Sequence, residues 1–278
     1  RYNPCCRLLV IRTQLINRID YMAAPLHISI SAEKLFSIAG LSISNSMVTS
    51  LIVSTLLIGF AVWVRASLKS TNRPTGVQNV AEFIVESLYN LVQSVTGNHR
   101  KSAKFFPFIA TFFLFILLNN WVGLIPGSGS VGISRSENVG GVAERVFIPF
   151  FRAGTADLNM TAALGLTSVA LIQFFGVSYL HAGYFKKFLN FSSPINLFVS
   201  ILEIVSEVSR VISFAFRLFG NVFAGEVLLA VIGFLIPVIA PMPFYGLEIF
   251  VGFLQALVFS MLSVVLFNMA TQGHGEEH

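Results

Sequence analysis

The strongest constraint on the fold of this chain is its four long stretches without a charged residue. Asp, Glu, Lys and Arg are absent from residues 35–64, 105–134, 158–185 and 249–275. Each stretch is longer than the ~20 residues with which an α-helix crosses the hydrocarbon core of a bilayer. Charged residues make up 11% of the chain, whereas about a quarter is usual in soluble domains. We therefore predict an all-α integral membrane protein.

The pattern predicts five membrane spans and one amphipathic helix. The spans cover approximately residues 47–68, 105–126, 158–181, 194–235 and 244–270. Residues 77–96 instead place apolar side chains on one helical face and polar side chains on the other. Thr75 and Gln78 match a capping box at the start of this helix, and Gly97 suits its end. We expect the helix to lie in the membrane interface, with packing on another subunit as the alternative.

Three prolines, Pro237, Pro241 and Pro243, interrupt the apolar sequence after the fourth span. Proline lacks the amide hydrogen that a helix interior needs and clashes with the preceding turn. We therefore predict that the fourth and fifth spans are long, tilted helices that fold into an antiparallel hairpin. In a six-span alternative, residues 227–247 cross the membrane alone and the C-terminal tail lies on the other side.

Basic residues concentrate in one connection between the spans. Residues 65–104 hold six basic and two acidic residues, whereas residues 127–157 hold three of each. Because basic connections remain on the cytoplasmic side, we predict that residues 65–104 lie inside and the Gly/Ser-rich loop 127–157 lies outside. The N-terminus is then outside and the C-terminus is cytoplasmic. This distribution explains the net charge of +5 without a nucleic-acid-binding face.

Residues 1–46 form an N-terminal segment before the membrane domain of residues 47–278. Residues 1–21 contain no methionine and only a short apolar run, so we expect that translation begins at Met22 and that residues 1–21 are upstream sequence. A membrane-targeting extension is the alternative. Cys5 and Cys6 are adjacent, which suits neither a structural disulfide nor a zinc site.

The fourth span contains several charged residues, which are Glu203, Glu207, Arg210, Arg217 and Glu226. A charge at the bilayer centre costs at least ~2.5–3.5 kcal/mol, so retained charges usually face a partner or a polar cavity. Arg210 follows Glu207 by three residues, which favours a local salt bridge. Arg217 has no acidic residue within four positions, so its partner must come from elsewhere.

An antiparallel hairpin with its centre near residues 236–237 brings Arg217 opposite Gln255 and Glu226 opposite Glu248. Glu226 then lies ~13 Å from Arg217 along the helix, toward the outside. Glu can bind and release a proton, whereas the Arg guanidinium stays charged. An arginine between two polar half-paths would block direct proton leakage and attract an ionised carboxylate on a moving partner. In the alternative interpretation, these residues only hold two helices together.

Several segments resemble subunit a of F-type rotary ATP synthases, especially the bacterial members. They are residues 216–226 (FRLFGNVFAGE), 254–256 (LQA), 119–126 (NNWVGLIP) and 156–161 (ADLNMT). The resemblance covers most of the chain after residue 75. Carboxylates at both Glu226 and Glu248 resemble the bacterial members, since mitochondrial members tend to have His at the first position, and the resemblance therefore implies a bacterial plasma membrane. Val211, where a proline is common in that family, and the additional acid Glu207 are departures from the pattern.

The resemblance also implies roles for individual residues. Arg217 would be the essential arginine that faces the carboxylate of the c-ring. The implied outer half-channel consists of Asn221, Glu226, Glu248 and Gln255, and less directly of Asp157 and Asn159. The implied inner half-channel contains Glu203 and Ser206, with Glu207 as a second acid near the exit. The implied partners are the c-ring, the peripheral-stalk b subunits, the other ATP synthase subunits and the lipid bilayer.

The sequence also bears on nucleotide-binding proteins, secondary transporters and membrane metalloenzymes. The sequence has no G-x-x-x-x-G-K-[ST] loop, so ATP chemistry would belong to other subunits and this chain would not be an enzyme by itself. A secondary ion or solute transporter would favour inverted repeats, which the two halves do not show. The five histidines are scattered, so we expect no metal site and no cofactor. The sequence leaves open the choice between H⁺ and Na⁺, the ring size and the physiological direction.

Overall fold

The computed structural model describes residues 34–38, 41–67, 76–125, 127, 132–139, 142–181, 184, 194–236 and 239–272. Its six long helices are α1 (Asn45–Ser67), α2 (Gly76–Thr96), α3 (His99–Gly123), α4 (Leu158–Leu180), α5 (Pro194–Leu235) and α6 (Pro241–Ala270). Two antiparallel hairpins join β1 (Lys34–Ile38) to β2 (Leu41–Ser44) and β3 (Gly132–Val139) to β4 (Val142–Pro149). A 3₁₀ turn (Gly154–Ala156) precedes α4.

Five of the described helices, α1, α3, α4, α5 and α6, are long and apolar enough to cross a membrane. This confirms the predicted all-α membrane fold with five spans. Residues 227–247 do not form a span of their own, because residues 227–235 belong to α5 and residues 241–247 belong to α6. The six-span alternative is therefore wrong, and the hairpin of the last two helices is confirmed. The side of the membrane on which each terminus lies stays a prediction.

Two helices begin three or more residues earlier than predicted. Helix α3 begins at His99 rather than near residue 105, because the Asn98 side chain caps it by accepting a hydrogen bond from the Arg100 backbone N–H at 2.9 Å. Helix α6 begins at Pro241 rather than near residue 244. Proline is well tolerated in the first turn, where its missing N–H would have no partner within the helix. Hydropathy marked the apolar part of each helix, whereas the Asn98 cap marks the beginning of α3 and a proline in the first turn marks the beginning of α6.

The two β-hairpins were not predicted. The sequence interpretation left residues 34–44 without regular structure and treated residues 132–149 as part of a Gly/Ser-rich loop. Both hairpins lie in connections outside the spans, and their strands are only four to eight residues long. The second hairpin brings the chain back to the end of α3 before α4 begins.

The amphipathic helix α2 forms as predicted and packs on the bundle through one face. Its Val92 is buried beside Phe105 of α3, and its Val95 carbonyl accepts a hydrogen bond from the Asn268 amide at 3.3 Å. Gly97 ends the helix with φ = +63°, a conformation that favours glycine. Thr75 of the predicted capping box lies outside the described residues. Placement of α2 in the membrane interface stays a prediction.

Aromatic side chains fill the core between α3, α4, α5 and α6. The Phe105 and Phe175 rings lie 5.0 Å apart between centroids, and the Phe214 and Phe259 rings lie 4.7 Å apart, both edge to face. Such geometry suits the charge distribution of aromatic rings. The core holds α5 and α6 against α3 and α4, and so fixes the positions of the polar residues on the last two helices.

Helix α5 is 42 residues long and has the smallest buried share of the five span helices. One of its faces consists of exposed apolar side chains, namely Ile201, Ile204, Val205, Val208, Ile212 and Phe216. A continuous apolar face of this kind suits contact with lipid or with an apolar partner subunit.

Candidate functional site

A polar clamp fixes α6 against the C-terminal end of α3. The Asn120 amide donates to the Gly252 carbonyl at 3.1 Å, and the Trp121 indole N–H donates to the Ile249 carbonyl at 3.2 Å. A Cβ atom on Gly252 would lie 3.2 Å from the Asn120 Cβ, so glycine permits this close approach. Small residues and interhelical hydrogen bonds are typical of helix contacts inside membranes. The NNWVGLIP segment therefore positions one wall of the site.

A cavity of about 310 Å³ lies between this clamp and the α5–α6 hairpin. Its polar lining residues are Asn120, Arg152, Asn221, Glu226, Tyr245, Glu248 and Gln255. Four of them, Asn221, Glu226, Glu248 and Gln255, are the residues that the sequence grouped together. Two carboxylates and two amides in one cavity can bind water and exchange protons with it.

The hydrogen bond of the Gln255 side chain shows how α5 and α6 are aligned in the hairpin. Its Oε1 accepts a hydrogen bond from the Asn221 amide at 2.7 Å, one turn along α5 from Arg217. The predicted pairing of Gln255 was with Arg217, so the observed contact is displaced by one turn toward the C-terminal end of α5. The buried Gln255 Nε2 has no hydrogen-bond partner among the described residues. This leaves a donor available within the site.

Glu248 packs directly against the backbone of α5. A Cβ atom on Gly225 would lie 2.2 Å from the Glu248 carboxylate. Only glycine lets the carboxylate occupy this position, which explains the glycine of the AGE segment. The predicted pairing of Glu248 with Glu226 is therefore correct to within one residue, because Gly225 and not Glu226 faces Glu248.

Arg152 is a site residue that the sequence interpretation missed. Its side chain is 7% exposed, and its Nε and Nη2 atoms each donate to Glu226 Oε2 at 3.1 Å. The sequence interpretation counted Arg152 only as one charge of the outer loop. Its apolar neighbours, Phe150, Phe151 and Ala153, were the one available signal that this arginine is buried.

Arg217 is half-buried on α5. Its Nη2 donates to the Ser213 hydroxyl at 3.3 Å, and it makes no ion pair within the part of the chain that the structure describes. The prediction that Arg217 lacks an acidic partner nearby on α5 is consistent with this geometry. A guanidinium without a counter-charge in an apolar helix is available to a partner molecule.

A second acidic group lies toward the other end of α5. Arg210 binds Glu207 at 2.6 Å and approaches Glu203 at 3.8 Å, as the residue spacing predicted. Ser206 is half-buried beside them, and Glu207 is buried with one carboxylate oxygen that lacks a hydrogen-bond partner among the described residues. These residues therefore form an ion pair, and one Glu207 carboxylate oxygen can accept a further hydrogen bond.

A mostly apolar groove of about 750 Å³ between α4 and α5 contains Glu207 together with Gln173 and Tyr184. The Tyr184 hydroxyl donates to Gln173 Oε1 at 2.7 Å. Burial, with an added contribution from Glu207, raises the pKa of Tyr184 to about 12. Tyr184 therefore remains a protonated donor at any physiological pH.

Asp157 and Asn159 do not line the cavity. Asp157 is buried, caps α4 by accepting from the Asn159 backbone N–H at 2.9 Å, and accepts from the Ser46 hydroxyl at 2.7 Å. The Asn159 side chain is exposed. A part for either residue in the outer half-channel stays a prediction, whereas the cap and the contact with α1 are structural roles.

Two substitutions separate these roles of Asp157. Asparagine is also a good N-cap and still accepts from Ser46, so we expect Asp157→Asn to retain assembly and proton flux. Asp157→Ala loses the cap, at about 0.5–2 kcal/mol, and should lower the amount of assembled protein in membranes. Quantitative immunoblots and flux per assembled complex measure both effects. A loss of flux in Asp157→Asn with normal assembly would instead support the half-channel role.

Comparisons with known proteins show the family of this chain. Residues 47–268 match the family described as "ATP synthase A chain". The chain belongs to the ATP synthase A chain family. The ATP synthase subunit a of Campylobacter jejuni subsp. jejuni serotype O:6 is 33% identical over 224 residues, which cover 78% of this chain and 88% of that protein. The same protein of Campylobacter jejuni subsp. doylei matches with the same identity and coverage.

The family match spans all five membrane helices except the first residues of α1 and the last of α6. It includes the clamp, the cavity and the Arg210 cluster, so the complete site lies within the part shared with the family. The described residues contain no group of three or more His, Cys, Asp or Glu side chains that could hold a metal ion.

Proposed function

We propose that this chain is the proton-translocating stator subunit in the membrane sector of a rotary ATP synthase. Membership of the ATP synthase A chain family supports the general role. The observation that carries the detailed proposal is the carboxylate-lined cavity, which lies beside the α5 helix that also presents Arg217. The chain contributes two half-channels and the charge between them, and the coupled ATP chemistry belongs to other subunits.

The outer half-channel is the cavity with Asn221, Glu226, Glu248 and Gln255. Water in the cavity brings a proton to a carboxylate at its wall. The hydrogen-bonded pair of Asn221 and Gln255 lies at the Arg217 end of the cavity and leads the path toward the c-ring. The Nε2 of Gln255, which has no hydrogen-bond partner among the described residues, is a donor for a water molecule or for the approaching ring carboxylate.

Arg217 is the gate between the half-channels. Its guanidinium cannot release a proton at physiological pH, so protons cannot pass it along α5. It attracts an ionised carboxylate on the c-ring and thereby favours release of the proton from that carboxylate. The ring then has to turn before it can bind another proton, which couples proton flow to rotation.

The inner half-channel consists of Glu203, Ser206 and Glu207. Glu207 has a spare acceptor oxygen in the α4–α5 groove, which supports it as the group that releases the proton to the inside. Glu203 lies one turn farther along α5 and approaches Arg210 at 3.8 Å.

The exposed apolar face of α5 is the surface that we assign to the c-ring. The peripheral-stalk b subunits and the other synthase subunits complete the assembly, which we place in a bacterial plasma membrane with a cytoplasmic C-terminus. A secondary transporter, the alternative function, would not copurify with a c-ring and a peripheral stalk. Mild detergent extraction followed by mass spectrometry of the copurified subunits separates the two.

The whole proposal is tested by proton uptake into vesicles that contain the complete assembly. ATP-driven acidification that persists without Na⁺ is expected. Uptake that requires Na⁺, or that survives removal of this subunit, would contradict the proton path through this chain.

A further inference from the structure

The groove between α4 and α5 has three polar side chains in its lining, which are Gln173, Tyr184 and Glu207. The other lining side chains are apolar, so a water molecule in the groove finds side-chain partners only near these three groups. The proposed function uses one of them, Glu207, as the group that releases the proton. The other two also have a defined arrangement in the same groove.

The Tyr184 ring is held against α4. It is buried, and a Cβ atom on Gly176 would lie 2.6 Å from Cζ of the ring, so glycine at this position leaves the space that the ring occupies. The hydroxyl at the end of the ring donates to Gln173 Oε1 at 2.7 Å. The notch at Gly176 and this hydrogen bond together fix the phenol group beside Gln173.

The same hydrogen bond sets the orientation of the Gln173 amide. Burial, with an added contribution from Glu207, raises the pKa of Tyr184 to about 12, so the hydroxyl keeps its proton and the amide oxygen accepts the bond. The Nε2 atom of Gln173 makes no hydrogen bond within the part of the chain that the structure describes. Gln173 therefore has N–H groups available as donors to water.

Glu207 supplies the matching acceptor. Its Oε1 accepts from Arg210 Nη1 at 2.6 Å, whereas its Oε2 is buried and has no hydrogen-bond partner among the described residues. A buried polar atom without a partner is costly unless water satisfies it. Glu207 Oε2 and Gln173 Nε2 are thus an acceptor and a donor that belong to one groove, and a buried water molecule needs two or more such partners.

We propose that the transported proton leaves through the α4–α5 groove and that Tyr184 is a positioning residue of this exit. Tyr184 acts through Gln173, because it orients the amide so that Gln173 and Glu207 hold the same water molecule. The O–H bond of the protonated Glu207 carboxyl breaks, and the proton forms a new O–H bond with that water, which passes a proton on to water at the inner surface. The carboxylate keeps its bond to Arg210. This inference rests on the proposed function of Glu207.

A structural pair is the alternative interpretation. Tyr184 and Gln173 would then only fasten the segment after α4 to the helix, and their substitution would change the amount of assembled chain. The rate of proton-driven ATP synthesis per assembled complex would stay at the wild-type value.

Removal of the hydroxyl tests the positioning role. Tyr184→Phe keeps the ring against Gly176, so the fold should survive. The Gln173 amide can then rotate, and small displacements near a reacting group cost up to about a hundredfold in rate; we expect synthesis per assembled complex to fall by roughly three- to tenfold. Gln173→Leu keeps the Tyr184 ring, removes the amide and should lower the rate at least as much. The double variant should be no slower than Gln173→Leu, because both act through one hydrogen bond.

Tyr179→Phe is the matched control on α4. The Tyr179 hydroxyl makes no hydrogen bond within the described residues, and its ring contacts with Lys101 and Lys104 do not need the hydroxyl. This substitution removes the same atom from the same helix region outside the groove. It should leave both assembly and the rate of synthesis unchanged.

A mobile buffer distinguishes transport from a structural role. In inverted vesicles with the complete assembly, the inner half-channel opens to the medium, where a small buffer such as imidazole can accept the proton in place of the positioned water. At fixed pH and ionic strength, more buffer should bring Tyr184→Phe and Gln173→Leu to within about threefold of wild type. It should not change wild type or Tyr179→Phe. A structural defect gives no such recovery.

Thiol labelling tests the route itself. Ala170 belongs to the lining of the groove, whereas Leu166 is exposed on the same helix outside it. Thiols react where water and the reagent reach them. In a chain with Cys5 and Cys6 replaced by Ser, a membrane-impermeant reagent on the inner side should label Ala170→Cys but not Leu166→Cys.

The inference is overturned if Tyr184→Phe and Gln173→Leu keep the wild-type rate, if buffer does not restore them, or if Ala170→Cys reacts no faster than Leu166→Cys. These outcomes differ from a failure of the proposed function. If Arg217→Ala still supports proton-driven synthesis, the proton path itself is wrong. If Arg217→Ala abolishes synthesis while the groove variants behave like wild type, only the exit through the groove is wrong.

Discussion

Arg217→Ala is expected to abolish proton-driven ATP synthesis while the chain still assembles with the c-ring. The half-buried guanidinium makes one long hydrogen bond to Ser213, so its loss removes little that holds the fold. Alanine also has the highest helix propensity. The loss of a preorganised charge at a reaction centre costs roughly a hundredfold or more. Synthesis in inverted vesicles, normalised to assembled complex, measures the effect.

Arg217→Lys provides the matched control for charge. Lysine keeps a positive charge, but it lacks the planar fork and can release its proton when buried. We therefore expect Arg217→Lys to fail as well, although it assembles normally. Synthesis above about a tenth of wild type in Arg217→Ala, a loss far too small for a gating charge, would contradict the role of Arg217 as the gate.

Gly225→Ala is the second substitution with a large expected effect. The new Cβ would lie 2.2 Å from the Glu248 carboxylate, so the carboxylate has to leave its position. Because a side-chain end can rotate away, the fold should survive, and alanine favours the helix by about 1 kcal/mol over glycine. Small displacements of a reacting group can cost up to about a hundredfold in rate, and we expect proton flux to fall by about tenfold.

Gly233→Ala is the control, because it lies on the same helix and its Cβ would lie 3.9 Å from Pro241 Cγ, with no closer atom among the described residues. It should leave proton flux and assembly unchanged. Glu248→Asp shortens the displaced side chain and should restore part of the flux in Gly225→Ala. Normal flux in Gly225→Ala, or an equal loss in Gly233→Ala, would contradict the functional position of Glu248.

The membrane helices were predictable from sequence because hydrophobic length is a local property. The bilayer requires about 20 apolar residues per span, and the charges and prolines marked most boundaries. Helix starts depend on single contacts such as the cap at Asn98, which hydropathy does not register. The β3–β4 hairpin lies in a polar connection, where neither the length rule nor helical periodicity applies.

The sequence predicted most of the residues that line the cavity, but only some of the contacts between them. The hairpin argument paired Glu226 with Glu248 and Arg217 with Gln255, whereas Asn221 joined the group only through the family resemblance. The structure places Asn221, Glu226, Glu248 and Gln255 around one cavity. The hairpin argument misplaced the partner of Gln255 by one turn, because side-chain packing sets the final offset. Arg152 comes from a distant loop, and no periodicity links it to Glu226. The cap formed by Asp157 also depends on how the chain enters α4 from the 3₁₀ turn.

The sidedness of thiol labelling tests most directly the central claim that two half-channels open on opposite sides of Arg217. In a chain with Cys5 and Cys6 replaced by Ser, Val222→Cys places a thiol in the cavity lining, and Ser206→Cys places one beside Glu207. Thiols react when water and the reagent reach them. A membrane-impermeant reagent should label Val222→Cys only from the outside and Ser206→Cys only from the inside. Labelling of both positions from the same side would contradict the two half-channels.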